Sequence, residues 1–560
     1  MHNITDECPF SRLPATLLVT SNVITARRIR GPVSDLTQGM LQRTPQTCTQ
    51  PHKGDIEVSF SPQPSPYPPI ILPISLSLST VEPSQLSFNM PPISDNWPDV
   101  TASLEIMEPE YASRVTSMVH QLNPHHRAIE LYASSLHPQR LPCRLISDHY
   151  TWGQSFVVFE LYFSDNVSWI IRFGMRPMDA YFNTAAQLER KILNEVAALH
   201  LVSQRTTIPI PEIISYHAHP SPSNPLGSEF PAFVLMTAIT GMTIEDCGIA
   251  TSELGSGYDT AGQESDPLGG DESKRPILQR YLRDIADIHV QLSRITFDRI
   301  GSFVIDAQGA VSVGPGADFG LGPFNSAKEY FSIQAEAYEQ LAMAAGLDDE
   351  ADEGENVDAA QLKRRFVASL WRRAMMPLVD ERDERGPFPM RHGDLHSDNI
   401  LVDETGHIVG VLDWDCAGTV PWEAFAVPTF EVSGHFTDSD SKSISSESTT
   451  SSLSSSSSCS RSIVHDVFNR ELAAAESQRD AGVIKPASGR SLAALHDSDA
   501  GHVGAYLAYW MYSLACDYDQ TGRALHRMLG SDDDIDQDFQ KFATELGAVD
   551  ALENQQQVQS

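Results

Sequence analysis

The chain has 560 residues, and 39 Lys and Arg stand against 74 Asp and Glu, a net charge of −35. That balance weighs against a nucleic-acid or anionic-membrane binder, since both need clustered positive charge. A hydrophobic fraction of 41% is ample for a sizeable core and excludes wholesale disorder. The seven cysteines are widely spaced with no CxxC pair. Neither a disulfide framework nor a structural zinc site is expected, and a reducing, cytoplasmic compartment fits. Arg12, Arg27, Arg28 and Arg30 in a stretch without acids are a weak mitochondrial-presequence pattern. No apolar run reaches about 18 residues, so no transmembrane segment is expected.

Residues 1–100 are dominated by Pro, Ser, Thr and Gln and read as a disordered arm. Such a segment buries too little apolar surface to offset its chain entropy. Order is expected from about Ala128. "SFVVFELYF" (155–163), the turn "SDN" and "VSWIIRFGM" (167–175) predict a hairpin. Leu188, Ile192, Val196 and Leu199 recur at helical spacing, which predicts an amphipathic helix over 188–202. "TTIPIPEIISYHA" and "FPAFVLMTAITG" predict two further strands, the second ending at Gly241. This is a small sheet carrying one helix.

Residues 248–275 are rich in Gly, Ser and Asp and read as an exposed insertion. Helices are expected over 276–295, 325–345 and 361–378, with the acidic run 348–358 as a solvated loop between the last two. "HIVGVLDW" (407–414) predicts a short buried strand. A Ser-dominated loop at 436–462 opens a flexible insertion extending to 500. "HVGAYLAYWMYSLACDYDQ" reads as a late helix, and residues 549–560 as a frayed tail.

The segment that carries chemistry is "RHGDLHSDNILVDETGHIVGVLDWD", residues 391–415. Asp394 and Asn399 stand five apart on a loop opened by Gly393. A strand, a turn at Gly406 and a returning strand would bring Asp413 beside Asn399. One carboxylate and one amide oxygen make a hard-oxygen site suited to Mg²⁺, which completes its shell with waters and phosphates. Asp394 is left to orient a hydroxyl or accept its proton, as phosphoryl transfer requires.

This stretch resembles the signature of the aminoglycoside phosphotransferase and choline kinase-like family, relatives of the protein kinases. Protein kinases carry His-Arg-Asp, an Asn five residues past the Asp, and then Asp-Phe-Gly. Here His392-Gly393-Asp394, Asn399 and Asp413-Trp414-Asp415 stand at those steps. The Gly after His and the acid-Trp-acid ending favour the small-molecule kinase branch.

The resemblance implies a two-lobed α+β kinase-like fold. A small β-sheet lobe with one helix would span 128–236, and a larger, mainly helical lobe 237–548, with ATP and Mg²⁺ in the cleft. It implies Asp394 as the catalytic base and Asn399 and Asp413 as Mg²⁺ ligands. Arg172 would bind phosphates, paired with Glu195; Arg stands where most kinases have Lys, as in a fungal-type subgroup. Gly153 and Ser155 would belong to the phosphate-covering loop, and the backbone from Thr237 to Ile239 would hydrogen-bond adenine. His392 reads as loop support. His396 and Asp415 are open between a functional and a bland role, and Trp422 and Glu423 between the acceptor-site border and the core.

The expected activity is transfer of the γ-phosphoryl group of ATP to a hydroxyl of a small molecule. The alternative is a catalytically weak or inactive kinase-fold protein that works by interaction. A protein kinase is disfavoured, since only "VPWEAF" follows Asp413 where an activation segment would end. The acceptor and the oligomeric state cannot be read from the sequence.

Overall fold

The computed structural model describes residues 91–546 apart from internal stretches, chiefly 176–184, 251–267, 346–356, 429–462, 480–485 and 506–521. Three helices come first: α1 (Val100–Glu105), α2 (Pro109–Leu122) and α3 (His126–Leu136). A five-stranded antiparallel sheet follows, in the order β1-β2-β3-β5-β4. Its strands are β1 (Cys143–Trp152), β2 (Phe156–Phe163), β3 (Ser168–Gly174), β4 (Ile213–His217) and β5 (Phe233–Thr237), with helix α4 (Ala185–Arg205) between β3 and β4.

All eight residues of β2 are buried. The alternation of the pleat explains this. Val157, Phe159, Leu161 and Phe163 pack with Val115, Met118, Val119 and Leu122 of α2. Phe156 and Val158 face the other way, onto Leu188 and Ile192 of α4. A strand covered on both faces reads as a continuous apolar run.

The fold class is the expected one, a sheet lobe followed by a mainly helical region. Two boundaries differ. Among the described residues, secondary structure is present from Ile93, well before Ala128, and α1–α3 form the outer layer of the sheet. The expected 1–100 arm is therefore too long by its last residues; residues 1–90 lie outside the described ones. Residues 93–94 form a strap: the Ile93 and Ser94 amides donate to the Glu160 carboxylate at 3.2 and 2.8 Å. Glu160 is fully buried in β2, and its other partner is the Ser168 hydroxyl. Trimming the chain to begin at Asp99 should leave this carboxylate short of two donors. We expect a loss of about 1–3 kcal/mol and a melting temperature lower by roughly 1–4 °C. Calorimetry on the trimmed chain measures it, and an unchanged melting temperature contradicts it.

The second boundary is the 436–500 insertion. Within it, α9 (Ile463–Gln478) buries Val464, Phe468 and Leu472 at i, i+4, i+8 and docks on α5 (Arg275–Ser293). Arg479 beside its end makes a bidentate pair with Asp287 of α5 at 2.5 and 2.8 Å. The short helix α10 (Leu492–His496) hangs on Glu476, which accepts from the Leu492 and Ala493 amides. The Ser-rich run, the late helix after His502 and the 549–560 tail lie wholly or mostly outside the described residues.

The helical region also contains α6 (Ala327–Ala345) packed along α7 (Val357–Met375), and α11 (Arg523–Met528) and α12 (Ile535–Glu545) on α7. Two small antiparallel elements position the chemistry. One is a set of short strands, β6 (Thr296–Phe297), β7 (Gly301–Ile305), β8 (Val311–Val313), β9 (Phe388–Arg391) and β12 (Gly418–Thr419), in the order β6-β9-β12-β7-β8, in which β9 leads into the motif and β12 leaves it. The other is the hairpin β10 (Ile400–Val402) and β11 (Ile408–Val411). Helix α8 (Trp422–Phe425) follows, with Trp422 and Glu423 both buried.

Candidate active site

β9 delivers the chain into a loop that Gly393 makes possible. Its φ is +93°, and a Cβ there would sit 2.1 Å from the Cys416 carbonyl oxygen. Only glycine combines that dihedral with that approach. His392 braces the loop from below. Its Nε2 donates to the Leu412 carbonyl at 2.9 Å, its Nδ1 accepts from the Asp394 amide at 3.2 Å, and its ring lies 4.3 Å from that of Trp414. These bonds assign the neutral tautomer, and burial pushes its pKa down to about 4.

The β10–β11 hairpin brings the two halves of the motif together. Ile400 pairs with Val411, and the Leu412 amide donates to the Asn399 carbonyl at 2.8 Å. Asp413 follows directly, in the left-handed region at φ 61°, ψ 65°. A non-glycine residue held there stores strain of the kind found at functional sites. The Asn399 side chain donates to the Asp394 carbonyl at 2.9 Å, and its Nδ2 lies 3.1 Å from His396 Nε2. His396 Nε2 stands 3.5 Å from Asp394 Oδ2.

The sheet lobe supplies a third part. Arg172 on β3 gives Nη1 to Glu195 Oε1 of α4 at 2.6 Å and Nη2 to Asp413 Oδ1 at 3.1 Å. Its guanidinium lies 4.3 Å over the Phe156 ring. The planar fork thus reaches two carboxylates at once, which a lysine ammonium on a single stem does not match. Arg172, Glu195 and Asp413, distant in sequence, form one buried cluster with Asp394 and Asn399.

Two further residues complete it that the sequence reading left unassigned. Lys191 Nζ reaches Asp415 Oδ2 at 3.3 Å. Asn194, 1% exposed, donates to the Asp415 and Ala417 carbonyls at 2.9 and 2.8 Å and accepts from the Phe303 amide at 2.7 Å. It pins α4 to both the Asp413–Ala417 loop and β7 (Gly301–Ile305). The signal was present: Lys191, Asn194 and Glu195 share one helix face by i, i+3, i+4 spacing, amid the buried Ile192 and Val196.

The electrostatics suit a divalent cation. Asp394, Asp413, Asp415 and Glu195 place four carboxyl groups around Arg172 and Lys191. Burial, then Asp415, pushes Asp413 up to about 7 although Arg172 pulls it down. Burial raises Glu195 likewise, against the same guanidinium. Burial works to raise Asp394 too, but the His396 imidazole outweighs it and holds the carboxyl below its ordinary value. Among the described residues no three His, Cys, Asp or Glu side chains form a ready metal cage. Mg²⁺ needs none, since it binds through one or two protein oxygens, waters and substrate phosphates. Asp413 and Asn399 fit that requirement.

At the nucleotide end most of the backbone groups have partners within the chain. The Gly153 amide donates to the Phe156 carbonyl at 3.0 Å, closing a tight hairpin turn at the expected phosphate-covering loop. Ser155 is buried, and its carbonyl accepts from Met175 at 2.9 Å. The Thr237 amide is taken by the Glu212 carbonyl at 2.9 Å, because β5 ends there and not at Gly241. The Ala238 amide is taken by Ser168 at 3.1 Å. Of the expected adenine-binding segment, the Ile239 amide has no partner among the described residues. Its side chain lies on Gly410 of β11, where a Cβ would come within 2.8 Å.

Residues 150–423 match the profile of APH, the phosphotransferase enzyme family. That stretch, just under half of the chain, is similar to this family. The phosphotransferase match runs from the last three residues of β1 to Glu423 and includes every residue of the cluster above. Helices α1–α3 precede it. Among solved structures the chain is similar to an aminoglycoside 2′-phosphotransferase in its GDP complex (13% identity, 73% of this chain and 89% of that one, TM-score 0.34). It is also similar to a macrolide 2′-phosphotransferase from Brachybacterium faecium (14%, 72% and 98%, 0.34). A third is an ethanolamine kinase from Plasmodium vivax (11%, 74% and 84%, 0.33). No curated protein matches the sequence. No helix among the described residues is long and apolar enough to cross a membrane.

Proposed function

We propose that this protein moves the γ-phosphoryl group of ATP, with Mg²⁺, to a hydroxyl group of a small molecule. What supports the reading is one buried cluster that joins Asp394, Asn399 and Asp413 to the Arg172–Glu195 pair. An interaction scaffold has no physical need for all five.

In this mechanism Asp394 is ionised at neutral pH, because His396 beside it favours the carboxylate. It accepts the hydrogen bond of the acceptor hydroxyl and aims that oxygen at the γ-phosphorus. The new O–P bond forms as the bond to the ADP oxygen breaks, and the hydroxyl proton passes to Asp394. Arg172, held flat on Phe156 and steered by Glu195, clamps oxygens of the phosphates that stay behind. Asn399 and Asp413 would hold Mg²⁺, which neutralises charge on the phosphates when bound.

The test is incubation of the full chain with γ-labelled ATP and a panel of hydroxyl compounds: amino sugars, macrolides and amino alcohols. Label should appear in at least one acceptor, only with Mg²⁺, and vanish in Asp394→Asn. Tight Mg·ATP binding with no transfer to any acceptor or to water would favour the inactive alternative.

A further inference from the structure

We propose that Tyr111, on helix α2 outside the family stretch, is a positioning residue for the turn that covers the nucleotide phosphates. The inference rests on the reading of the cleft as an ATP site. Tyr111 lies in the first turn of α2, and its hydroxyl donates to the Gly153 carbonyl. The Gly153 amide donates to the Phe156 carbonyl across the same turn. Both backbone groups of the glycine are therefore engaged, one within the hairpin and one by a helix that belongs to a different layer.

The anchor is rigid because the rest of α2 is rigid. Val115, Met118, Val119 and Leu122 stand at i, i+3, i+4, i+7, and all are buried against the sheet that bears the turn. At the far end of the helix Gln121 donates to the Glu229 carbonyl at 3.1 Å. Arg114, one turn on, stacks over the Tyr111 ring at 5.8 Å. Burial pushes the phenol up to about 12, so it stays a protonated donor across the working pH range. A two-stranded turn with no such contact would swing about its strands. Holding it in one place prepays the ordering that phosphate binding otherwise costs. The α1–α3 layer is thus a brace for the nucleotide lobe as well as a cover for its core.

The experiment compares the full-length wild type with Tyr111→Phe, measuring the dissociation constants of Mg·ATP and of adenosine, which has no phosphates. The phenylalanine keeps the ring packing and deletes the hydroxyl. Loss of one such bond should weaken Mg·ATP about three- to tenfold, while adenosine affinity stays within about twofold. The ratio of the two affinities, read well below the melting temperature, is independent of any loss of stability. Equal Mg·ATP affinity in both proteins overturns the proposal. So does a parallel loss for both ligands, which assigns Tyr111 to general packing of the lobe. Failure of the wild type to bind Mg·ATP at all overturns the reading of the cleft itself and is distinguishable from either.

Discussion

Asp394→Asn should lower phosphoryl transfer by about 10²- to 10⁴-fold while leaving Mg·ATP affinity within about threefold. The substitution is nearly isosteric, so the loop should survive it. Asn399 bonds the backbone carbonyl of residue 394 at 2.9 Å and reaches its Oδ2 only at 3.4 Å, and His392 accepts from its amide, so the shorter contacts do not use the side chain that changes. What is lost is the charge that orients the hydroxyl and takes its proton. His396 also loses the partner that, against burial, holds its pKa above the ordinary value. The measurement is labelled transfer to the best acceptor from the panel, with water as acceptor if none is found. Transfer at the wild-type rate would remove Asp394 from the chemistry.

Arg172→Met should be the most destabilising single change in the site. Arg172 and Glu195 are 8% and 1% exposed and Asp413 is 11% exposed, so solvent screens them little. Removing the guanidinium leaves two buried carboxylates without their cation, a loss of about 3–5 kcal/mol. For a chain of this size that is a fall in melting temperature of roughly 3–6 °C. Arg172→Lys keeps the charge but offers one ammonium where the fork meets both Glu195 and Asp413, and its melting temperature should fall between wild type and Met. Arg172→Met combined with Glu195→Leu should recover part of the loss, because the stranded charge goes with its partner. Scanning calorimetry on the four proteins decides it. A Met variant within about a degree of wild type would mean that the pair contributes nothing to the folded state.

The order in which these residues become visible follows from how local their signals are. The motif from Arg391 to Asp415 is contiguous, so its spacing alone specifies the loop, the hairpin and the meeting of Asn399 with Asp413. Arg172 and Glu195 are 23 residues apart and needed the family resemblance, since a glutamate on an amphipathic helix is ordinarily solvated. Lys191 and Asn194 were legible only as polar residues on a buried face. The strands of the sheet lobe were read correctly from β-branched and aromatic runs, except β1, whose "CRLISDHYTW" mixes exposed and buried residues across a register shift between Ile146 and Tyr150.

The larger omission was α1–α3. The i, i+3, i+4, i+7 pattern in α2 was there to be found, but the Pro- and Ser-rich composition before it drew the boundary too late. α9 was lost in the same way to the Ser-rich run that precedes it. Composition averages over a window, and a short amphipathic helix beside a low-complexity stretch disappears into that average. The engaged amides of Gly153 and Thr237 had no sequence signal at all, because backbone partners across a turn or a strand end depend on register.

The most direct test of the account is calorimetric titration of the full-length protein with ATP in Mg²⁺ and in chelator, beside Asp413→Asn. Asparagine tolerates the left-handed backbone that Asp413 adopts, so the variant isolates the ligand charge from the strain. The account predicts saturable binding that requires Mg²⁺ and is weaker by roughly tenfold or more in the variant. Equal affinity with and without Mg²⁺, or no binding at millimolar nucleotide, would contradict it.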